Sequence, residues 1–440
     1  MQIAPPTTTS RSAPGNAPLV PAGQLLPFAL ITLLFFIWGM SNNLTDILVQ
    51  QFRKSFELSW VQAQLVQTAV FFGYFCVALP AAFIMRRFGY KAGIIGGLVL
   101  FATGTLAFWP AAIIGHYAPF LIALFIVGIG SATLETAANP FIAQFGSPAT
   151  SERRLNLSQS LNPPGAITGV LLGTNFIFSG VELPPAQVEL MKHAGTYAAY
   201  LHTEIMRVVP VYVGLSVVLL VLAAIIGTLH FPSIHEEQDA LDTTSRFSDI
   251  FRTRTLMLAV VAQFFYVGAQ VATWSNFIPY IKQYTADTER TAGYFLTGTL
   301  IAFALGRFVS TALMRYIAPR TIMGIFACIN IGLISIAIFS PGRTGVWAIL
   351  ATSFFMSLMY PTIFALGIRG LGANTKVGGS LMVMSIIAGA IFPPVMGLMA
   401  GYFHSLAIAY QLPLYAYIVV ALFSFFGTRG SGRLDTMANV

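Results

Sequence analysis

Apolar residues run along this chain in blocks of about twenty, separated by short polar breaks, and a helix crossing a bilayer needs about 20 such residues at 1.5 Å rise each. Twelve blocks meet the requirement, at residues 25–49, 59–85, 92–114, 118–145, 155–180, 207–231, 255–281, 291–314, 321–341, 345–368, 378–401 and 405–427. The pattern predicts an all-α membrane protein with twelve transmembrane helices. The longest polar interruption, 232–254, carries His235, Glu236, Glu237, Asp239, Asp242, Arg246, Asp249, Arg252 and Arg254 and divides six blocks from six. It reads as a linker between an amino-terminal six-helix bundle, 25–231, and a carboxy-terminal one, 255–427, with tails at 1–24 and 428–440. The first tail is rich in Pro, Ser and Thr with Arg11 as its one charge. It reads as disordered and lacks the basic-then-apolar order of a cleavable signal. The segment 181–206, with Glu182, Glu189, Lys192 and Glu204, predicts a solvated surface helix outside the membrane.

The two halves resemble each other. Phe35, Phe36 and Gly39 recur as Phe264, Phe265 and Gly268 at an offset of 229, and the same offset carries Met85, Arg86 and Lys91 onto Met314, Arg315 and Arg320. Pro140, Ile142 and Gly146 map to Pro361, Ile363 and Gly367 at 221, while Gly165, Ala166, Ile167 and Gly173 map to Gly389, Ala390, Ile391 and Gly397 at 224. Ordered matches in corresponding spans imply duplication, and two six-helix bundles related by an axis along the membrane normal describe the major facilitator architecture.

Composition reinforces the membrane reading. Of the 440 residues 56% are apolar and 9% charged, with a mean hydropathy of +0.76, so a soluble multidomain protein, a secreted domain and a nucleic-acid-binding protein are all excluded. The net charge of +8 is explained by topology. With the amino terminus in the cytoplasm, fifteen of the 23 Lys and Arg fall inside and seven outside, with Arg307 within a span, which places both termini inside. Cys76 and Cys328 each sit in an apolar run without a partner at ligand spacing and read as small packing residues.

Charged side chains at mid-bilayer cost about 2.5–3.5 kcal/mol on insertion scales, so those that persist face protein or water. Thirteen of the fifteen acidic residues fall in loops, tails or span ends, leaving Asp46 and Glu135 within spans. All six histidines lie in loops or near interfaces, so these two carboxyls are the candidate proton carriers; the bland alternative is a carboxyl that ties helices together. Gly39, Asn42, Asn43 and Asp46 share one face of the first span, and Glu135 and Asn139 stack in the fourth. Asn156, Gln159 and Ser160 share a face of the fifth with Asn162 nearby, and Gln263, Tyr266, Gln270 and Trp274 recur along the seventh. Amides that donate and accept, together with aromatic plates, suit a polyhydroxylated solute such as a sugar. Interhelical amide bonding is the alternative, at about 1 kcal/mol per contact. Arg307 either snorkels or pairs between the halves, and Arg86, Arg87, Lys91, Arg315 and Arg320 are candidates for gating contacts. Pro163–Pro164 and Pro393–Pro394 mark bends, hinged or static.

Several strings carry a closer likeness: Phe35-Phe36-Ile37-Trp38 through Asn42-Asn43-Leu44-Thr45-Asp46, Leu134-Glu135-Thr136-Ala137-Ala138-Asn139-Pro140, Arg154-Leu155-Asn156-Leu157, Tyr266-Val267-Gly268-Ala269-Gln270 and Tyr360-Pro361-Thr362-Ile363-Phe364. They resemble the fucose-galactose-glucose proton symporters of the major facilitator superfamily over nearly the whole chain. The resemblance implies proton-driven inward sugar transport by alternating access in a bacterial cytoplasmic membrane, with no cofactor beyond the coupling proton and a monomer as the working unit. It implies Asp46 as a protonation site, Glu135 as the carboxylate linking sugar and proton, and Asn43, Gln159, Asn162 and Tyr360 as cavity residues, alongside Asn139, Gln270 and Trp274 from the polar faces. L-Fucose leads, with galactose, glucose, mannose and N-acetylglucosamine as alternatives. Pro163–Pro164 and Asn276-Phe277 depart from the family pattern beside the expected cavity. A membrane enzyme lacks a nucleophile, metal or phosphate motif here; a channel, a sugar sensor and a drug-proton antiporter are the remaining rivals.

Overall fold

A computed structural model describes residues 19–21, 23–146, 151–229, 253–314, 316–369, 371 and 375–427. Most of the amino-terminal tail, the linker 232–252, the tail 428–440 and Arg315 lie outside the described residues, as does the side chain of Arg86. Nearly everything described is helical. The helices used below are α1 (Leu25–Ser55), α2 (Trp60–Leu106), α3 (Phe108–Ile114), α4 (Tyr117–Gln144), α5 (Ser151–Gln159), α6 (Asn162–Leu172), α7 (Pro185–His193), α8 (Tyr197–Met206), α9 (Val208–Thr228), α10 (Arg254–Ser275), α11 (Phe277–Tyr284), α12 (Glu289–Leu313), α13 (Pro319–Phe339), α14 (Arg343–Met356), α15 (Met359–Ile368), α16 (Thr375–Met384) and α17 (Ala388–Phe403).

Ten helices among the described residues are long and apolar enough to cross a bilayer. Two further crossings expected from the sequence have broken or merged helices, each for a local reason. The second and third expected spans run together in α2, which starts at a capping box: the Ser59 hydroxyl accepts from the Gln62 amide while the Gln62 side chain accepts from the Ser59 N–H. Their division is at Gly89, where φ of 80° requires a residue without a Cβ. The fifth expected span, 155–180, is two helices rather than one. α5 ends at Gln159 and α6 begins at Asn162, with Pro163 and Pro164 in its first turn, where a missing N–H leaves no bond unmade. Adding the 224-residue offset of Gly165 and Gly389 to Leu161 gives 385, the first residue of a tight turn, Ser385–Ile387, that divides α16 from α17. The break is thus repeated in both halves.

α2 packs along α4, and α1 along α6. The second contact depends on small residues. A Cβ on Gly165 would stand 2.0 Å from the Phe36 carbonyl oxygen, and one on Gly169 2.2 Å from that of Met40, so the α1 backbone rests directly on α6. Outside, Phe308, Phe339 and Tyr402 are 76–83% exposed, a surface that hydrocarbon solvates and water does not. Cys76 and Cys328 lie free on this exterior and not in the packed interior expected of them.

The halves meet at α2 with α17 and at α6 with α12. One hydrophobic core joins Leu44, Phe52, Val66, Phe120 and Phe178 of the amino-terminal half to residues throughout the carboxy-terminal half. A second, built from Phe28, Phe35, Met85, Phe101, Phe141 and Leu219, belongs to the amino-terminal half alone. The halves therefore share their interior at the end where α1 finishes and α2 starts.

Polar contacts at that same end differ from expectation. Glu204, Glu182 and Glu289, expected as solvated loop or span-end residues, join the structure: Glu204 and Glu289 are 2% and 3% exposed, and Lys54 reaches both at 3.2 Å. Glu182 accepts from Lys282 and, at 2.8 Å, from the Glu289 N–H across the two halves. A lysine held between two carboxylates makes their burial tolerable, which a reading of isolated charges does not foresee. α7, by contrast, has no buried residue and fits the solvated helix expected.

Candidate functional site

α1 is the first wall of a cavity. Its apolar residues pack against α6, and the opposite register, Trp38, Asn42 and Asp46 with Asn43 beside them, lines a chamber of about 340 Å³ between the halves. α2 adds Gln67, Phe71 and Tyr74, one helical face at i, i+4 and i+7. α4 contributes Glu135 and Asn139, and the break between α5 and α6 turns Gln159 and Asn162 inward from either side. The other half supplies Tyr266, Val267, Gln270, Val271 and Trp274 from α10, Phe303 and Arg307 from α12, Tyr360 from α15, and Ile386 from the turn before α17. The volume lies in the range of small-molecule sites, about 300–1,000 Å³.

Hydrogen bonds fix much of this wall. Gln67 donates to Asp46 Oδ1 at 2.8 Å, and the other end of the Gln67 amide lies 3.4 Å from the Thr45 hydroxyl. Asp46 is buried, at 6% exposure, whereas Glu135 is half-buried. Asn139 donates to the Glu135 carbonyl at 3.1 Å and accepts from Gln159 at 3.2 Å. Asn43 donates to the Gly39 carbonyl at 2.9 Å, and Asn162 to that of Phe35 at 3.4 Å, so each amide keeps its oxygen for a ligand. Tyr74 accepts from the Trp38 indole and lies 2.8 Å from Ser131 Oγ. Opposite, Trp274 donates to Ser353 at 3.1 Å and stands edge-on to Phe303, and Tyr360 stacks on Phe364. The result is a two-sided chamber: both carboxyls and most of the amides on the amino-terminal half, aromatic rings on both.

Every residue expected to bind substrate or protons borders this one cavity: Asn43, Asp46, Glu135, Asn139, Gln159, Asn162, Gln270, Trp274 and Tyr360. Gln263 does not; it is fully buried in α10. Asn156 lies outside the residues whose side chains are described. Arg307, expected to snorkel or pair between the halves, instead borders the chamber with its guanidinium 5.0 Å from the Phe303 ring centre. Of the other gating candidates, Lys91 donates to the Gly227 and Leu229 carbonyls, at 2.9 and 2.8 Å, within its own half. Arg87 and Arg320 are exposed, and the Arg320 carbonyl accepts from Ser424 in the same half.

Sequence reasoning missed Trp38, Gln67, Phe71, Tyr74 and Phe303. A signal existed for two of them. Trp38 precedes Asn42 by one turn on the acidic face of α1, and Gln64 with Gln67 is an amide pair at i, i+3 inside an apolar run. Phe71 and Phe303 carry no polar mark that separates a cavity ring from a core ring. Among the described residues no group of three or more His, Cys, Asp or Glu is placed to hold a metal ion.

Two duplicated helical halves around a shared polar chamber define a membrane carrier, and the chain belongs to the Major Facilitator Superfamily, whose family profile matches residues 30–393. Among curated relatives it is 40% identical over 414 residues to the L-fucose-proton symporter of Escherichia coli strain K12, covering 92% of this chain and 94% of that one. It is 33% identical over 429 residues to the glucose/galactose transporter of Brucella abortus, covering 95% and 99%. A crystal structure of the major facilitator transporter FucP in the outward conformation matches with a TM-score of 0.68 at 40% identity, over 92% of this chain and 99% of that chain.

Proposed function

We propose that this protein is a proton-coupled sugar symporter of a bacterial cytoplasmic membrane, and that L-fucose is its leading substrate. The observation that carries the reading is the convergence of Asp46 and Glu135, the acidic residues expected within spans, on the chamber that also presents amides and rings from both halves. A sugar bound there shares one space with the groups that take up protons. The curated relatives are named for L-fucose and for glucose and galactose transport, which favours a hexose or deoxyhexose over other solutes.

The geometry supplies a cycle. With the amino terminus inside, as the distribution of Lys and Arg implies, the end where Lys54, Glu204 and Glu289 meet is the outer one, and the halves are joined there. Opening of that end admits protons, one to each chamber carboxylate, and a sugar. Protonated Glu135 and Asp46 present O–H donors and no net charge, so the loaded chamber can close without enclosing two anions. Asn43, Asn139, Gln159 and Asn162 meet the sugar hydroxyls, while Trp274 and Tyr360 cover its apolar face. Reclosure of the outer end exposes the chamber to the cytoplasm, where the higher pH removes the protons and releases the sugar. Arg307 borders the same space. One chain supplies every wall, so a monomer suffices.

Purified protein in sealed vesicles tests the reading. A symporter accumulates radiolabelled L-fucose when an inward proton gradient is imposed and alkalinises the outer medium as it does so. Equilibration without accumulation would identify a channel instead, and binding without uptake a sensor. Competition by unlabelled galactose, glucose, mannose and N-acetylglucosamine ranks the sugars, and dominance of any of them over L-fucose reassigns the substrate while leaving the coupling intact.

A further inference from the structure

Asp46 is buried, and Gln67 is the side chain that hydrogen-bonds its carboxyl among the described residues. Gln67, 2% exposed, donates its N–H to Asp46 Oδ1 at 2.8 Å, and its oxygen lies 3.4 Å from the Thr45 hydroxyl, which donates to the Asn42 carbonyl at 2.6 Å. This orientation suits an ionised Asp46, because an amide N–H needs an acceptor. Once Oδ1 carries a proton the two donors face each other, and the bond survives if the amide turns its oxygen to Asp46 and its N–H to the Thr45 hydroxyl oxygen, which can accept it.

Gln67 also belongs to the strip of α2 that grips the other half. One turn before it, Gln64 donates to Asn276 Oδ1 at 2.7 Å, with both side chains at most 1% exposed. Thr68, the next residue, donates to the Ala390 carbonyl at 2.8 Å. The Gln64 oxygen is buried without a partner, so this joint is only half satisfied and yields more easily than a complete pair. Asn276 is fixed in turn by its own donation to the Ala272 carbonyl at 2.9 Å, at the junction of α10 and α11. The other ionisable groups bordering the chamber are Glu135 on α4 and Arg307 on α12, with the phenols Tyr74, Tyr266 and Tyr360.

We propose that Gln67 is a positioning residue of the proton cycle, which senses whether Asp46 is ionised and passes that state along one turn of α2 to the Gln64–Asn276 bond between the halves. The inference rests on the symport reading above and adds to it the element through which a proton on one half loosens the joint to the other. Loss of the Gln67 donor removes a bond made to the carboxylate, so the pH profile of exchange is expected to move upward.

Vesicles containing the full chain test this with tritiated L-fucose, by proton-driven accumulation and by counterflow exchange at equal internal and external pH, between roughly pH 5 and pH 9. Gln67→Leu is expected to raise the pH of half-maximal exchange by about one unit, the size of one bond to a charged group. It also lowers accumulation at least about tenfold more than exchange. Gln64→Leu, which leaves the Asp46 bond in place, lowers accumulation without moving that pH. Should Gln67→Leu fail to insert, Gln67→Met keeps the unbranched chain and is read the same way. An unmoved pH profile in the Gln67 variant, or accumulation and exchange falling by one factor, overturns the proposal. An unsubstituted protein that does not accumulate fucose overturns the symport reading itself; intact symport with either of the preceding results overturns this inference alone.

Discussion

Two pairs of acids lie inside this protein, three of the four buried and Glu135 half-buried, and their surroundings are opposite. At the end where the halves are joined, Glu204 and Glu289 flank Lys54 at 3.2 Å each, and Gln50 adds a bond to Glu289 at 3.1 Å. In the chamber Asp46 has an amide partner, and neither it nor Glu135 has a cation within ion-pair distance among the described residues. Acids that share a lysine are tied into a buried contact and work as struts. The chamber acids have no such partner and border a space that a solute can enter. The difference lies in neighbours that are remote in sequence, since Lys54 and Glu289 are 235 positions apart.

Neutralising a chamber acid breaks this contrast most severely. Glu135→Gln keeps the shape and removes the proton. Proton-driven accumulation of L-fucose is expected to fall by a factor of about 100 or more, while counterflow exchange persists. The sign with pH follows: exchange by the parent declines as rising pH strips the chamber carboxyls, and the glutamine variant keeps only the part of that decline that Asp46 causes. Asp46→Asn should behave likewise, and equal loss of exchange and accumulation would indicate a binding or folding defect instead.

Next in size is the strut. Lys54→Met removes the shared cation and leaves Glu204 with Arg207 at 3.4 Å and Glu289 with the Gln50 amide, at a cost of about 3 kcal/mol, the lower end for breaking a buried pair because Lys54 keeps 18% exposure and Glu204 keeps a cation. The expected outcome is a population shift toward the form with its outer end open, read as a longer distance between spin labels on the two halves. Lys54→Met combined with Glu289→Gln should recover part of it, since the charge left without an ion pair is then gone. Failure of the double variant to recover any would mean that the lysine acts by packing and not by charge.

How much of this was legible follows from range. The helices, the duplication and the chamber-facing acids come from local signals: hydrophobic blocks, an offset repeated in order, and polar residues at helical spacing on single faces. Asn43, Asp46, Glu135, Asn139, Gln159 and Asn162 all border the cavity because each face is set by one helix's register. Pairing across the joint was not legible. Glu204 and Glu289 read as loop acids because nothing in a linear sequence places Lys54 between them, and Tyr74 reads as a core ring until its hydroxyl meets Trp38, Asn42 and Ser131. The fifth span was predicted whole because Pro163–Pro164 signals a bend without saying whether the helix continues through it or restarts there.

A smaller effect is expected in the chamber wall. Gln159→Leu removes one chamber-facing amide and its bond to Asn139, which is worth about 1 kcal/mol, and on the proposed function the expected outcome is about a fivefold weaker apparent affinity. Accumulation at saturating sugar should be nearly unchanged, since the coupling acids are untouched. A change in the pH profile instead would draw Gln159 into the proton network through Asn139 and the Glu135 carbonyl.

The smallest effect sharpens the contrast from the opposite side. Arg343 and Asp287 form an ion pair at 2.7 Å, shorter than the Lys54 pairs, yet Arg343 is 55% exposed and both residues belong to the carboxy-terminal half. Distance alone would rank it the stronger contact. Solvation ranks it the weaker, because an exposed pair is already well stabilised by water and contributes about 0–1 kcal/mol. Arg343→Gln should therefore leave accumulation, exchange and the distance between the halves within error of the parent. A loss comparable to that of Lys54→Met would show that ionic contacts at this end act as one network, and that the division between burial within the joint and exposure at its rim is the wrong physical distinction.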